Sequence, residues 1–200
     1  MKANPLSGAL LAGLLLAAGC SSKTDSTQAA ANANDQKIDN TASAGGAPAT
    51  AGSAGDSKDV ADYLVSLANT GRTEFELSRA AATRASSPAV KAYASKTVAQ
   101  HTQDEQELKA EAAKYNITLP TTLSDDSQKL LADLGKEKAG ADFDKKYLDE
   151  MADVNDKAID KAKDLVGKTD KQELKDFVQK VMRDDDGHRN EARKLRDGIK

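Results

Sequence analysis

Apolar positions along the chain fall into long stripes with helical spacing. Val60, Leu64, Leu67, Gly71, Glu74, Ser78 and Ala81 recur at alternating intervals of three and four residues. That spacing predicts a helix from Asp59 to about Ala85, and Ala68 and Phe75 widen its face. Pro88, following Ser86 and Ser87, stands where a new helix starts, because proline has no N–H to lose in a first turn. A second stripe of Val90, Ala94, Val98, His101, Leu108, Ala112 and Tyr115 carries that helix to about residue 115. The run Asn116-Ile117-Thr118-Leu119-Pro120 ends it. Ser124 caps a short helix with Leu130, Leu131 and Leu134 on its apolar face. A third long helix is predicted over about Ala141–Val166, with Leu148, Met151, Asn155, Ala158, Ala162 and Leu165 in its stripe. A fourth is predicted over about Lys171–Gly198, with Leu174, Val178, Val181, Asp185, His188, Ala192 and Leu195. No segment carries the period-two alternation of a strand.

Long amphipathic helices without strands predict an all-α protein, and four of them make a four-helix bundle. Short connections join helices one and two, and helices three and four, so each pair is an antiparallel hairpin. Residues 116–140, which contain the short helix, separate the pairs. This segment is long enough to run the length of the bundle, as in the ferritin-like topology with one long crossover. It could also fold over one end, giving a simple up-down bundle. The expected architecture is the ferritin-like four-helix bundle with a short helix in the crossover between helices two and three.

Residues 1–57 lack this pattern. Lys2, the apolar run Leu6–Ala18 and the small residues before Cys20 have the layout of a secretory signal peptide. The run is too short for a spanning helix, which needs about 20 apolar residues. Leu16-Ala17-Ala18-Gly19-Cys20 resembles a bacterial lipoprotein processing box. The resemblance implies cleavage before Cys20 and lipids on that cysteine. Ser21 follows it where Asp would signal inner-membrane retention, so the expected location is the outer membrane, facing the periplasm. A secreted or periplasmic protein with a free cysteine is the alternative. In 21–57 Ile38 is the one aliphatic residue larger than Ala, and no aromatic precedes Tyr63. Such a stretch buries too little surface to offset its chain entropy. The expected organisation is a lipoprotein signal peptide over 1–19, the lipidated cysteine and a disordered tether over 20–57, and the bundle over 58–200.

Composition removes several function classes. The chain of 200 residues has 29 Lys and Arg against 32 Asp and Glu, a net charge of -3. That excludes a generally basic nucleic-acid binder. One cysteine excludes an intrachain disulfide and a cysteine-cluster metal site. The absence of Trp argues against a platform for stacking sugars or bases. No nucleophile elbow, phosphate loop or triad order is present, and no catalytic residue is assigned.

The candidate chemistry lies in what interrupts the apolar stripes. Glu74, His101, Asn155, Asp185 and His188 occupy positions that the spacing assigns to the core. Each lies near the middle of its helix, so helices aligned side by side bring all five into one layer. Burying lone charges is expensive, so such groups should pair with one another or bind something. Asp185-x-x-His188 is a variant of the Glu-x-x-His unit of di-iron bundles. However, Val98 stands three residues before His101 where that site wants an acid, and Asn155 is a poor iron ligand. Glu74, His101, Asp185 and His188 would therefore suit one divalent metal ion with open positions rather than two bridged irons. A hydrogen-bonded cluster of the same four groups, fixing helix register without metal, is the competing reading. A His101–His188 separation beyond about 8 Å would leave no shared site.

Several runs resemble a known family: Glu74-Phe75-Glu76-Leu77, Val90-Lys91-Ala92-Tyr93-Ala94 leading to His101, Ile117-Thr118-Leu119-Pro120, and Phe143-Asp144-Lys145-Lys146-Tyr147-Leu148. They are similar to a widespread bacterial outer-membrane-protein family of unknown function, regarded as ferritin-like four-helix lipoproteins. The resemblance covers about residues 58–197. It implies a histidine in each of the second, third and fourth helices. The matching positions are His101, Asn155 and His188, so Asn155 is a degenerate ligand position. The family implies fold and location but no established activity. The expected function is a lipid-anchored cell-envelope binding or stress-related module whose polar layer can hold one divalent ion, without catalysis. The alternatives are an iron-dependent oxidase or metal-storage protein, and a structural or interaction protein of the outer membrane. The membrane, reached through the N-terminal lipid, is the expected partner.

Overall fold

The computed structural model describes residues 25–43 and 54–199. The signal peptide expected over 1–19 and the lipid site expected at Cys20 lie outside the described residues. Among those described, the protein is all-helical: α1 (Ser26–Ser43), α2 (Ala54–Arg84), α3 (Pro88–Lys114), α4 (Asp125–Lys136), α5 (Ala141–Lys168) and α6 (Gln172–Asp197). None of these helices is long and apolar enough to cross a membrane.

Local chemistry sets the boundaries. Pro88 opens α3 after an extended Ser87. Asn116, at φ 56°, closes it in the left-handed conformation. The N–H of Ile117 then reaches Ala112 O at 2.9 Å and that of Asn116 reaches Ala113 O at 3.2 Å. This is the Schellman arrangement that satisfies the last carbonyls of a helix. The Ser124 hydroxyl accepts from Ser127 N at the start of α4.

The long helices run antiparallel to their neighbours. From the end of α2 to its start, Ser78 meets Tyr147 at 2.8 Å, Glu74 meets Asn155 at 2.9 Å and Ser66 meets Lys161 at 2.7 Å. Between α3 and α6, Lys96 pairs with Glu191 at 2.9 Å and Glu107 with Lys180 at 3.0 Å. Between α5 and α6, Asp149 pairs with Arg196 at 3.0 Å and Asp156 with Arg189 at 3.1 Å. The segment from Tyr115 to Gly140 returns along α2. Ser127 bonds to Asn69 and Thr73 at 3.0 and 2.7 Å, and Arg84 donates to Gly135 O and Glu137 O at the far end.

Helix α1 corrects one expectation. Residues 26–43, which by their lack of apolar residues belong to the expected disordered tether, form a helix seated on the body. Polar contacts hold it. Asn34 is buried, its Nδ2 donating to Thr118 O at 3.0 Å while its Oδ1 accepts from Thr118 N at 2.7 Å. Lys37 Nζ donates to Asn116 O at 2.8 Å. Asp25 accepts from Thr27 N at 2.7 Å and from Asp125 N at 2.6 Å, joining the first turns of α1 and α4. The Thr27 hydroxyl and these N–H groups hold the Asp25 carboxyl below its ordinary range. An isolated helix of this length is marginal in water, so α1 depends on its docking. Asn34→Ala is expected to melt α1 locally. Its amides should exchange hydrogen freely while those of α2 and α5 keep their protection. Protected α1 amides in the variant would show that Asn34 does not hold the helix.

The interior has two apolar halves. Leu77, Tyr93, Phe143, Tyr147, Leu148 and Met151 belong to one. Val60, Leu64, Leu108, Ala162, Leu165 and Leu174 belong to the other. Glu74, His101, Asn155, Asp185 and His188 are all buried, and lie in sequence between the two sets on their helices.

Candidate functional site

Four helices contribute to the polar layer: Glu74 from α2, His101 from α3, Asn155 from α5, and Asp185 and His188 from α6. The imidazole centroids of His101 and His188 are 5.3 Å apart, well inside the separation that permits a shared site. His101 Nε2 lies 3.3 Å from Glu74 Oε2, and His188 Nδ1 lies 3.6 Å from the same oxygen. One ligand atom from each of Glu74, His101 and His188 lies within 4.8 Å of the other two.

Asp185 does not join that group, although the sequence pattern placed it there. The i, i+3 spacing can bring a carboxylate and an imidazole to one ion, but here the atoms within 4.8 Å of one another come from Glu74, His101 and His188 alone. Asp185 is buried beside the group, and its Oδ2 has no hydrogen-bond partner. Asn155, the degenerate ligand position, acts as a support. Its amide donates to Glu74 Oε2 at 2.9 Å and to Met151 O at 2.8 Å.

The electrostatics follow from burial and proximity. Burial pushes the Glu74 carboxyl up, but the two imidazoles outweigh burial and hold it at about 2. Burial pushes the His101 imidazole down, and the Glu74 charge beside it more than reverses this. Asp185 has burial and the Glu74 charge acting in the same direction, and its carboxyl is pushed up to about 8. The layer thus favours an ionised Glu74 and biases Asp185 toward its protonated form.

Gln100 and Asp104 support the histidines, and Gln100 escaped the sequence reading. Gln100 Oε1 lies 3.1 Å from His188 Nε2, which fixes the ring with Nδ1 turned toward Glu74. That Nδ1 has no hydrogen-bond partner, and neither does Glu74 Oε1. Asp104 Oδ2 lies 3.8 Å from His101 Nδ1, on the side of the ring away from Glu74. Carboxylates and amides behind histidines commonly fix ligand orientation and tautomer. The available signal was a second stripe on α3 of Tyr93, Thr97, Gln100 and Asp104, spaced by four, three and four. Tyr93 belongs to it in fact, donating from its hydroxyl to His188 O at 3.2 Å.

One carboxylate and two imidazoles form a donor set that fits a single divalent ion of the zinc, manganese or iron(II) kind, with positions left open. The fit rests on buried, unpartnered acceptors gathered around Glu74. One carboxylate and two imidazoles are too few protein ligands for two bridged irons.

Fold and site together define an all-helical protein with a buried carboxylate–imidazole centre. The family described as a domain of unknown function (DUF4142) matches residues 42–195, and the chain belongs to it. No curated protein and no solved structure matches the chain.

Proposed function

We propose that this is a lipid-anchored envelope protein that binds one divalent metal ion through Glu74, His101 and His188. The observation that carries the reading is the convergence of three buried ligand atoms within 4.8 Å, with Glu74 Oε1 and His188 Nδ1 lacking partners. The antiparallel run of α2, α3, α5 and α6 supports a ferritin-like four-helix bundle, with 115–140 as its crossover. In this reading Gln100 and Asp104 orient the two histidines, and Asn155 holds the carboxylate. Binding rather than oxidation on paired irons is the function, since only one carboxylate reaches the group.

Metal analysis of the purified full chain, after dialysis against Zn²⁺ or Mn²⁺, should give one ion per chain. His188→Ala should weaken binding by more than about 100-fold, since even partners behind a ligand cost 10–100-fold. A wild-type chain that retains no ion would refute the metal reading and leave a purely hydrogen-bonded layer. The envelope location rests on Leu16–Cys20 and on Ser21 after the cysteine. In bacteria fed labelled palmitate, the chain should carry label and Cys20→Ala should lose it. An unlabelled wild-type chain would remove the anchor from the proposal.

A further inference from the structure

A cavity of about 170 Å³ adjoins the polar layer, and Glu74, His101, Asp185 and His188 all line it. Its remaining wall is largely apolar, with Leu67, Phe75, Leu108, Phe177 and Val181 facing the space. Two of the three phenylalanines in the chain, Phe75 and Phe177, line this cavity. Both are only half-buried, whereas the third, Phe143, is completely buried. Apolar side chains around an accessible cavity that ends on polar groups are the usual composition of a small-molecule site. Engineered apolar cavities of about 150 Å³ take up benzene, so this one has room for one six-membered ring.

We infer that this cavity binds a small oxygen chelator with an apolar body about the size of one aromatic ring. Its head would occupy the open positions of the ion and its body would lie along the apolar wall. The inference rests on the metal reading of Glu74, His101 and His188. The lining carries three cations, Arg72, Lys109 and Lys180, against six acids besides Glu74, which favours a head that arrives neutral, as a hydroxamic acid does, over a free anion. Lys180 lies 3.0 Å from Glu107 and 3.3 Å from Asp184, and Arg72 lies 3.5 Å from Glu105. Asp185 gives the head a second contact, since its Oδ2 is buried on the wall without a partner.

The probes are benzohydroxamate and acetohydroxamate, which share a chelating head and differ in the ring. The full chain loaded with Co²⁺ reports head binding through its visible absorption. Benzohydroxamate should bind about tenfold more tightly than acetohydroxamate or better, as expected when a ring leaves water for an apolar wall. Ala68 also lines the cavity and is not one of the three ligands. Ala68→Phe should keep Co²⁺ and abolish the preference. Equal affinity for the two probes in the wild-type chain overturns the inference and leaves the metal site standing, whatever the variant does. Failure of Co²⁺ itself to bind overturns both.

Discussion

Glu74→Ala is expected to lower folding stability by about 3–5 kcal/mol, the range found when one partner of a buried ion pair is removed. Glu74 is completely buried and is the hub of the layer, with His101, His188 and Asn155 all directed at its Oε2. Its removal strands two imidazoles and an amide away from water. Losing the side-chain methylenes adds about 0.8 kcal/mol for each buried CH₂, so the unpaired polar groups dominate. Glu74→Gln keeps the volume and an oxygen to accept from Asn155, and should lose less. Guanidinium unfolding of the three chains in the presence of a chelator measures these differences. A Glu74→Ala chain within about 1 kcal/mol of wild type would mean the layer is neither dry nor paired. Added metal separates the two roles of the carboxylate. An ion that binds the folded state alone stabilises it by about 2.7 kcal/mol at one hundred times its Kd. Wild type should show that gain, and neither variant should.

The elements that could be read in the sequence are those whose apolar residues do the holding. Stripes such as Val60–Leu64–Leu67 and Leu174–Val178 located α2, α3, α5 and α6 to within a few residues. Helix α1 was not legible because it has no such stripe; Asn34 and Lys37 secure it by bonds to a backbone more than seventy residues away. Glu74, His101 and His188 stood out because they break apolar stripes at mid-helix, and their meeting follows from aligning the helices. Asp185 satisfied the same test and still misses the group, since a stripe is wider than a ligand sphere. Gln100 was invisible for the converse reason: it lies off the stripe that contains His101, and its role exists only once α6 brings His188 beside it. Stripe arguments thus find what is buried, while the direction of each side chain within the layer depends on packing between helices.

Asp144→Ala is expected to cost about 2–4 kcal/mol, because hydrogen bonds to a charged acceptor are worth about 1.5–3 kcal/mol each and the exposed Ser86 and half-buried Ser87 recover part of that from water. Asp144 is completely buried in the first turn of α5. Its carboxylate accepts from Ser86 N at 2.9 Å, Ser86 Oγ at 2.7 Å and Ser87 N at 2.8 Å. It thereby joins the turn between α2 and α3 to the start of α5, and its charge lies favourably at the N-terminus of its own helix. Asp144→Asn keeps one accepting oxygen and should lose about half as much. A cycle with Ser86→Ala isolates the hydroxyl from the two backbone donors, because the residues are in direct contact and their effects will not add. Thermal and guanidinium unfolding supply the values, and a loss under 1 kcal/mol for Asp144→Ala would show that water replaces the carboxylate at this corner. Asp144 lies at the end of the body that Leu77, Phe143 and Tyr147 fill, about two helical turns along α5 from the level of Met151. Conditions that keep the variant folded should therefore leave its metal affinity unchanged. Glu74→Ala loses both properties and Asp144→Ala only one, so the pair separates the site from the scaffold that carries it.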